Sequence, residues 1–300
     1  MQIVTVKGPI DPSQLGFTLM HEHLWCDLYR YDRSLAGAFN DEPLIIEEVQ
    51  AYRNAGGGAI VEVTTLGLDR NPQALRRISE ATGLHVIMGA GWYRQSHYPP
   101  EIEWTNADAL SKIIEQDLMV GVDGVRAGII GELGTDNRFI APAEERVFRA
   151  GARAHKRTGF AITLHAFAYP NGLDQLDLLE EEGVDLRRVI VGHADSYPNV
   201  AYHEALIGRG AFVQFDLVGK FLACTDAQRV RLTVELLARG HVDRLLFSHD
   251  TCMRTSLHAH GGPGYDHLIL RFLPALRAAG VSEEQIQIMM VENPRRVLSV

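Results

Sequence analysis

At 300 residues, with 46% hydrophobic, 22% charged and 8% aromatic side chains, the chain has the composition of a folded globular protein, which excludes a disordered or fibrous one. Its formal net charge of −9 comes from 38 acidic against 29 basic residues, and no Lys/Arg-rich run stands out to hold a phosphate backbone, so a nucleic-acid partner is not expected. No stretch keeps about 18 apolar residues together, and the start MQIVTVKGPIDPSQLG lacks a basic segment leading into an apolar one, so no membrane partner is expected and the expected compartment is the cytoplasm. The three cysteines, Cys26, Cys224 and Cys252, show no C-x-x-C spacing and are expected as reduced thiols.

In chain order, eight short runs rich in apolar and β-branched residues read as strands. They are FTLMHEHL at 17–24, GAIVEVTT at 58–65, LHVIMGAG at 84–91, VRAGIIGEL at 125–133, FAITLHA at 160–166, RRVIVGHA at 187–194, GAFVQFDL at 210–217 and DRLLFSHD at 243–250. Between them, helices are predicted at 44–55, 71–82, 105–120, 141–158, 172–182, 199–208 and 225–239, with Pro72 and Pro142 near helix starts, where a missing N–H does little harm. A His- and Gly-rich loop at 251–263 follows the last run, and helices at 264–279, 282–290 and from Asn293-Pro294 close the chain. Strand–helix alternation implies parallel strands joined by crossover helices, and no linker interrupts it, so residues 1–300 are expected to form a single domain of the α/β class. A doubly wound sheet is the alternative, but it often carries a Gly-rich phosphate turn after its first strand, where this chain has His21-Glu22-His23; a (β/α)₈ TIM barrel is therefore expected.

His21 and His23 stand two apart in an apolar run, and a strand period of two turns both imidazoles to one face, as two ligands of one ion require. An H-x-H carries little information alone, since a pair of core or solvated histidines reads the same way. Four later runs, however, each end in a residue able to bind a metal: Glu132 after GIIG, His165 after AITL, His193 after VIVG and Asp250 after LLFSH. In a barrel the C-terminal strand ends converge on one mouth. A charged Glu132 buried without a partner would be costly there, an objection that a divalent cation removes. Four imidazoles and two carboxylates are more donors than one tetrahedral ion needs, but they suit two ions with a bridging carboxylate and a shared solvent molecule. His21, His23 and Asp250 are assigned to the more buried ion, His165 and His193 to the more exposed one, and Glu132 to the bridge. Asp250 is also the candidate catalytic residue, accepting the proton of the attacking hydroxide.

Over essentially its whole length the sequence resembles the phosphotriesterase-like family of the amidohydrolase superfamily. The resemblance rests on GFTLMHEHL near the start, GIIGELGTD, ITLHA, VIVGHADS and LLFSHDTCMR at the fourth, fifth, sixth and eighth strands, GGPGYDHLI in the following loop and VENPRRVL at the C-terminus. It implies a distorted barrel, the same metal roles at the matching positions, and a homodimer. Many members bridge their metals with a carboxylated lysine at the end of strand four; this chain has Glu132 there, as in the branch of phosphotriesterase homology proteins that uses glutamate. Lys156 and Lys220 fall in a helix and after strand seven, so neither takes that place. The departure weakens any transfer of phosphotriester activity, and the substrates of the glutamate branch include carboxylic esters, lactones and amides.

A hydroxide acidified by the cations would serve as nucleophile, and no G-x-S-x-G elbow offers a serine alternative. The expected substrate is a small carboxylic ester or lactone; the alternatives are an N-acyl amide, a phosphotriester, or a metal-binding protein without turnover. Zinc is the first expectation for the ions, and manganese, cobalt or iron suit the same donors. Trp92 and Tyr93, after strand three, either wall the substrate pocket or pack the mouth. Arg254 either meets an anionic substrate group or forms a surface ion pair. Asp195 either relays protons or orients a ligand histidine, or else caps the following helix, and the remaining histidines read as structural or solvated.

Overall fold

The computed structural model describes all residues, 1–300, and its eight central strands run in one parallel sheet in chain order. They are β1 (Thr18–Glu22), β2 (Ala59–Glu62), β3 (His85–Ala90), β4 (Ile129–Gly134), β5 (Ile162–His165), β6 (Val189–Gly192), β7 (Phe212–Phe215) and β8 (Leu245–Phe247). The intervening helices are α1 (Glu42–Asn54), α2 (Pro72–Thr82), α3 (Ala107–Met119), α4 (Pro142–Thr158), α5 (Gly172–Glu181), α6 (Val200–Gly208) and α7 (Asp226–Ala238). The fold is the expected (β/α)₈ barrel. Six of the seven helices start where the sequence supplies a stop for their free N–H groups: Asp41, Asn71, Asn106, Asn199 and Thr225 each accept a bond from the first turn, and Pro72 and Pro142 open α2 and α4.

Alternation along the strands divides the core in two. Met20, Val61, Ile87, Ile129, Ile190, Phe212 and Leu246, one from each of seven strands, pack inside the barrel, plugged from below by Ile3, Leu15, Val297 and Leu298. Their neighbours Leu19, Ile60, Met88, Ile130, Leu164, Val191, Val213 and Phe247 face outward onto the helices. Two short antiparallel hairpins, Ile3–Thr5 with Gly8–Ile10 and Cys26–Asp27 with Ala38–Phe39, were not expected from the sequence. Each strand is too short to show a period. The C-terminal helices also differ from expectation: π-helical turns at Leu268–Phe272 and Ile288–Glu292 precede α-helical segments at Leu273–Ala278 and Asn293–Leu298.

The barrel does not close by a ladder between β1 and β8. Side chains stitch this seam instead. The Ser248 hydroxyl accepts the His21 N–H at 2.9 Å and donates to Glu22 Oε1 at 2.7 Å. Glu22 Oε1 also accepts the His249 N–H and Oε2 the Thr251 N–H, both at 2.8 Å, while the Asp250 N–H reaches the His21 carbonyl at 3.1 Å. A buried carboxylate thus satisfies backbone donors that a further strand pair would otherwise take.

Candidate metal centre

Plain alternation would turn the site residues the wrong way. Met20 points inward with Val61, so an unbroken β1 would aim His21 outward. The β1–β2 register slips between Leu19↔Ile60 and Glu22↔Glu62, three steps on one strand against two on the other. That extra residue is a bulge, and it turns His21 and His23 inward and Glu22 out toward the seam. The same slip occurs between β4 and β5, from Ile130↔Ile162 to Leu133↔Leu164. It turns Glu132 into the mouth beside Gly131, whose φ of +109° and 2.3 Å approach of a would-be Cβ to the Thr163 carbonyl admit only glycine. His193 and Asp250, just past β6 and β8, both adopt the left-handed region, at φ 54° and 53°. Such strain gathers where surrounding structure holds a side chain for use.

The six candidate ligands meet at this mouth. His21 Nε2 lies 3.5 Å from Glu132 Oε2 and 3.8 Å from Asp250 Oδ1, and His23 Nε2 lies 3.7 Å from Glu132 Oε1 and 3.3 Å from Asp250 Oδ1. Glu132 Oε2 is 3.1 Å from His165 Nδ1 and 3.7 Å from His193 Nε2, and those two nitrogens are 2.7 Å apart. Two triplets, His21–His23–Asp250 and His21–Glu132–His193, each bring their donor atoms within 4.8 Å of one another. His21 Nε2 is buried with no hydrogen-bond partner. Donors bound tetrahedrally at about 2.1 Å stand about 3.4 Å from each other, close to most of these spacings, so the donor set fits divalent cations. Burial alone would raise the Glu132 carboxyl, but His21 first, then His165 and His193, hold it well below the usual carboxylate range. Burial, then the neighbouring His193, lowers His165 to about 4, which leaves it neutral and able to donate a lone pair at neutral pH.

Second partners orient the rings. Thr64 spends its one hydroxyl hydrogen on Glu62 Oε1 at 2.5 Å, so the 2.8 Å contact from His23 Nδ1 is a donation to Thr64, which leaves Nε2 free to ligate. Asp216, just past β7, accepts from His193 Nδ1 at 2.7 Å and stands 3.2 Å from His21 Nδ1. Asp250 carries a partner of opposite charge: Lys220 Nζ lies 2.8 Å from its Oδ2. Glu22, Glu62, Thr64, Asp216, Lys220 and Ser248 were all missed from sequence. Glu22 and Asp216 left a signal, each an acidic residue inside or beside an apolar run, whereas Lys220 belongs to a loop whose path no pattern encodes.

The remaining candidates separate. Tyr93 lines a small cavity of about 50 Å³ with His23, Glu132, His193, Asp250, Cys26 and Cys252, and its Oη lies 3.3 Å from His165 Nε2. Trp92 is 3% exposed and borders a different groove beside Leu66, Arg70 and Ile102. Arg254 donates from Nε to the Ala38 carbonyl and stands 3.8 Å from Asp41, among residues of another surface hollow. Asp195 neither bonds a ligand histidine nor caps the following helix: it accepts the Asp216 and Leu217 N–H groups and pairs with Arg229, pinning the end of β7.

Comparison with known proteins gives a consistent picture. A model of the phosphotriesterase family matches residues 1–298. A phosphotriesterase homology protein of Escherichia coli (strain K12) is 36% identical over 286 residues, covering 95% of this chain and 97% of that protein. An N-acetyltaurine hydrolase of Danio rerio is 30% identical over 344 residues, covering 99% and 98%. The crystal structure of a lactonase from Listeria monocytogenes superposes with a TM-score of 0.93 at 27% identity, covering 100% of this chain and 99% of that one.

Proposed function

The chain belongs to the phosphotriesterase family, whose members are metal-dependent hydrolases, and from that premise we propose that it cleaves a small carboxylic ester or lactone at a centre of two divalent cations, zinc foremost. The observation that carries this reading is the convergence of four imidazoles and two carboxylates, spaced 2.7 to 3.8 Å, around the cavity that Tyr93 walls. His21, His23 and Asp250 would hold one cation, His165 and His193 the other, and Glu132 both. When bound, the cations would supply a water acidified to a pKa of roughly 7 and draw electron density from the substrate carbonyl. Asp250 Oδ1 faces the cavity and takes the proton released as water adds. The Lys220 ammonium favours the ionised form of that carboxylate and so keeps it ready as an acceptor. Tyr93 Oη, at the edge of His165, is positioned to donate to a substrate oxygen, and the apolar walls of Leu28 and Leu68 limit water around it. The reading extends to residues 1–300 as one domain and to a cytoplasmic homodimer, which suits the three free thiols.

A second reading, hydrolysis of an N-acyl amide, is favoured by the N-acetyltaurine hydrolase relative. A panel of lactones, aryl esters, N-acyl amino acids, N-acetyltaurine and a phosphotriester, run with metal-loaded and chelator-stripped protein, tests both. Chelator-sensitive hydrolysis of lactones or esters is expected; turnover of amides alone would replace the first reading with the second.

A further inference from the structure

Lys220 is the one cation whose ammonium reaches the candidate ligands. Its side chain is 15% exposed, and Nζ hydrogen-bonds both Asp250 Oδ2, at 2.8 Å, and the Asp250 carbonyl oxygen. The loop that carries it is built to hold this pose. Arg229 of α7, fully buried, donates to the Lys220 carbonyl at 2.9 Å and the Leu222 carbonyl at 3.3 Å, and its Nε is anchored on Asp195 Oδ2 at 2.5 Å. Gly219 N–H is held by Asp226 Oδ1 at 3.0 Å, and the glycine's φ of +84° lets the chain turn against Pro263 and His267. A lysine pinned from both sides in this way is not a surface side chain that has drifted onto a carboxylate.

The consequence lies in how Asp250 is divided. Its Oδ1 faces His23 Nε2 at 3.3 Å and His21 Nε2 at 3.8 Å, and its Oδ2 faces the ammonium. We propose that Lys220 is a positioning residue which restricts Asp250 to one-oxygen ligation, by holding Oδ2 and the carbonyl oxygen so that only Oδ1 is offered to the His21–His23 cation. This inference rests on the two-cation reading above. A carboxylate free of Lys220 can turn both oxygens onto a divalent ion, and removing a nearby positive charge also lowers the repulsion that ion feels. Both effects bind the ion more tightly. The first also takes the carboxylate away from the cavity, where it is needed to accept a proton. Lys220 therefore weakens metal binding in favour of turnover.

The test uses cobalt(II) as probe, in the full-length protein, with wild type, K220M and K220R. Metal counts come first: two ions per wild-type chain are expected, and one alone would defeat the two-cation reading while leaving the Lys220 comparison to be decided on the ion that remains. K220M is expected to bind cobalt about tenfold more tightly at one site and to show a weaker visible absorption as that ion gains a ligand oxygen, while kcat falls and KM changes little. K220R, which keeps a charged donor, is expected to restore the wild-type spectrum and affinity. If K220M does not fold by circular dichroism, K220Q, a neutral donor, is expected to fall between the two. Equal or weaker cobalt binding in the charge-free variant would overturn the proposal, as would a rise in KM alone, which would make Lys220 a substrate contact.

Discussion

Replacing Glu22 by Gln changes one oxygen to an NH₂ group at constant volume, at the point where the barrel closes. The carboxylate accepts three bonds, from Ser248 Oγ and the His249 N–H on Oε1 and from the Thr251 N–H on Oε2. If the amide oxygen takes the Oε1 position, two bonds survive but change from charge-assisted to neutral, roughly halving each, at about 1 kcal/mol apiece. The NH₂ then faces the Thr251 N–H, leaving a buried donor without an acceptor at a further cost of about 1 to 3 kcal/mol. The expected loss is therefore about 3 to 5 kcal/mol, beyond the range of most single substitutions. Urea unfolding of the metal-free protein reads it directly. Since Thr251 and His249 flank Asp250, and the seam joins the Asp250 N–H to the His21 carbonyl, metal affinity is expected to fall with stability. A loss below about 1 kcal/mol with unchanged metal binding would refute the argument that this carboxylate replaces the missing ladder.

Three further outcomes follow from the same geometry. In Glu132→Gln the carboxylate proposed to hold both cations loses its charge, so metal content is expected to drop by at least one ion per chain; an unchanged count by elemental analysis would remove Glu132 from the bridge. Asp216→Asn should weaken metal binding about 10- to 100-fold without touching a ligand, because an amide has one acceptor oxygen and its NH₂ would face either His193 Nδ1 or His21 Nδ1; chelator competition measures this, and wild-type affinity would contradict the orienting role. His97, 4% exposed, is lowered to about 4 by burial and then by Arg94. Its folded value lies below the unfolded one of about 6.5, so its contribution is present above pH 6.5 and is lost as pH falls toward 4, with a ceiling of roughly 3 kcal/mol. His97→Gln should flatten the acid side of the stability profile over that window, and an unchanged slope would count against the assignment.

Which parts of this molecule are legible in the sequence follows from where the information sits. The eight strands and seven crossover helices were readable because each is a local pattern: apolar runs, helical periodicity, and Pro72 and Pro142 at first turns. The ligand residues were readable as residue types at strand ends, but the reason given for His21 and His23 sharing a face was incomplete. A period of two puts them on one face without saying which one, and continued from Met20 it selects the outside of the barrel. The bulge that reverses this exists only in the pairing of β1 with β2, a relation between segments some forty residues apart. Glu132 depends on the same device in β4. Both bulges cost ladder hydrogen bonds at the strand ends, and both occur where the sequence has a donor residue to aim. Residues such as Lys220 and Asp216 act across loops and strands that meet only after folding, so no local pattern contains them. What joins the two levels is the seam: in His21-Glu22-His23 the same bulge that sends the histidines inward sends the glutamate outward to hold β8 and its following loop, and so Asp250, against them. Closure of the barrel and assembly of the site are one event, and a variant that opens the seam should therefore lose metal affinity and cooperativity together.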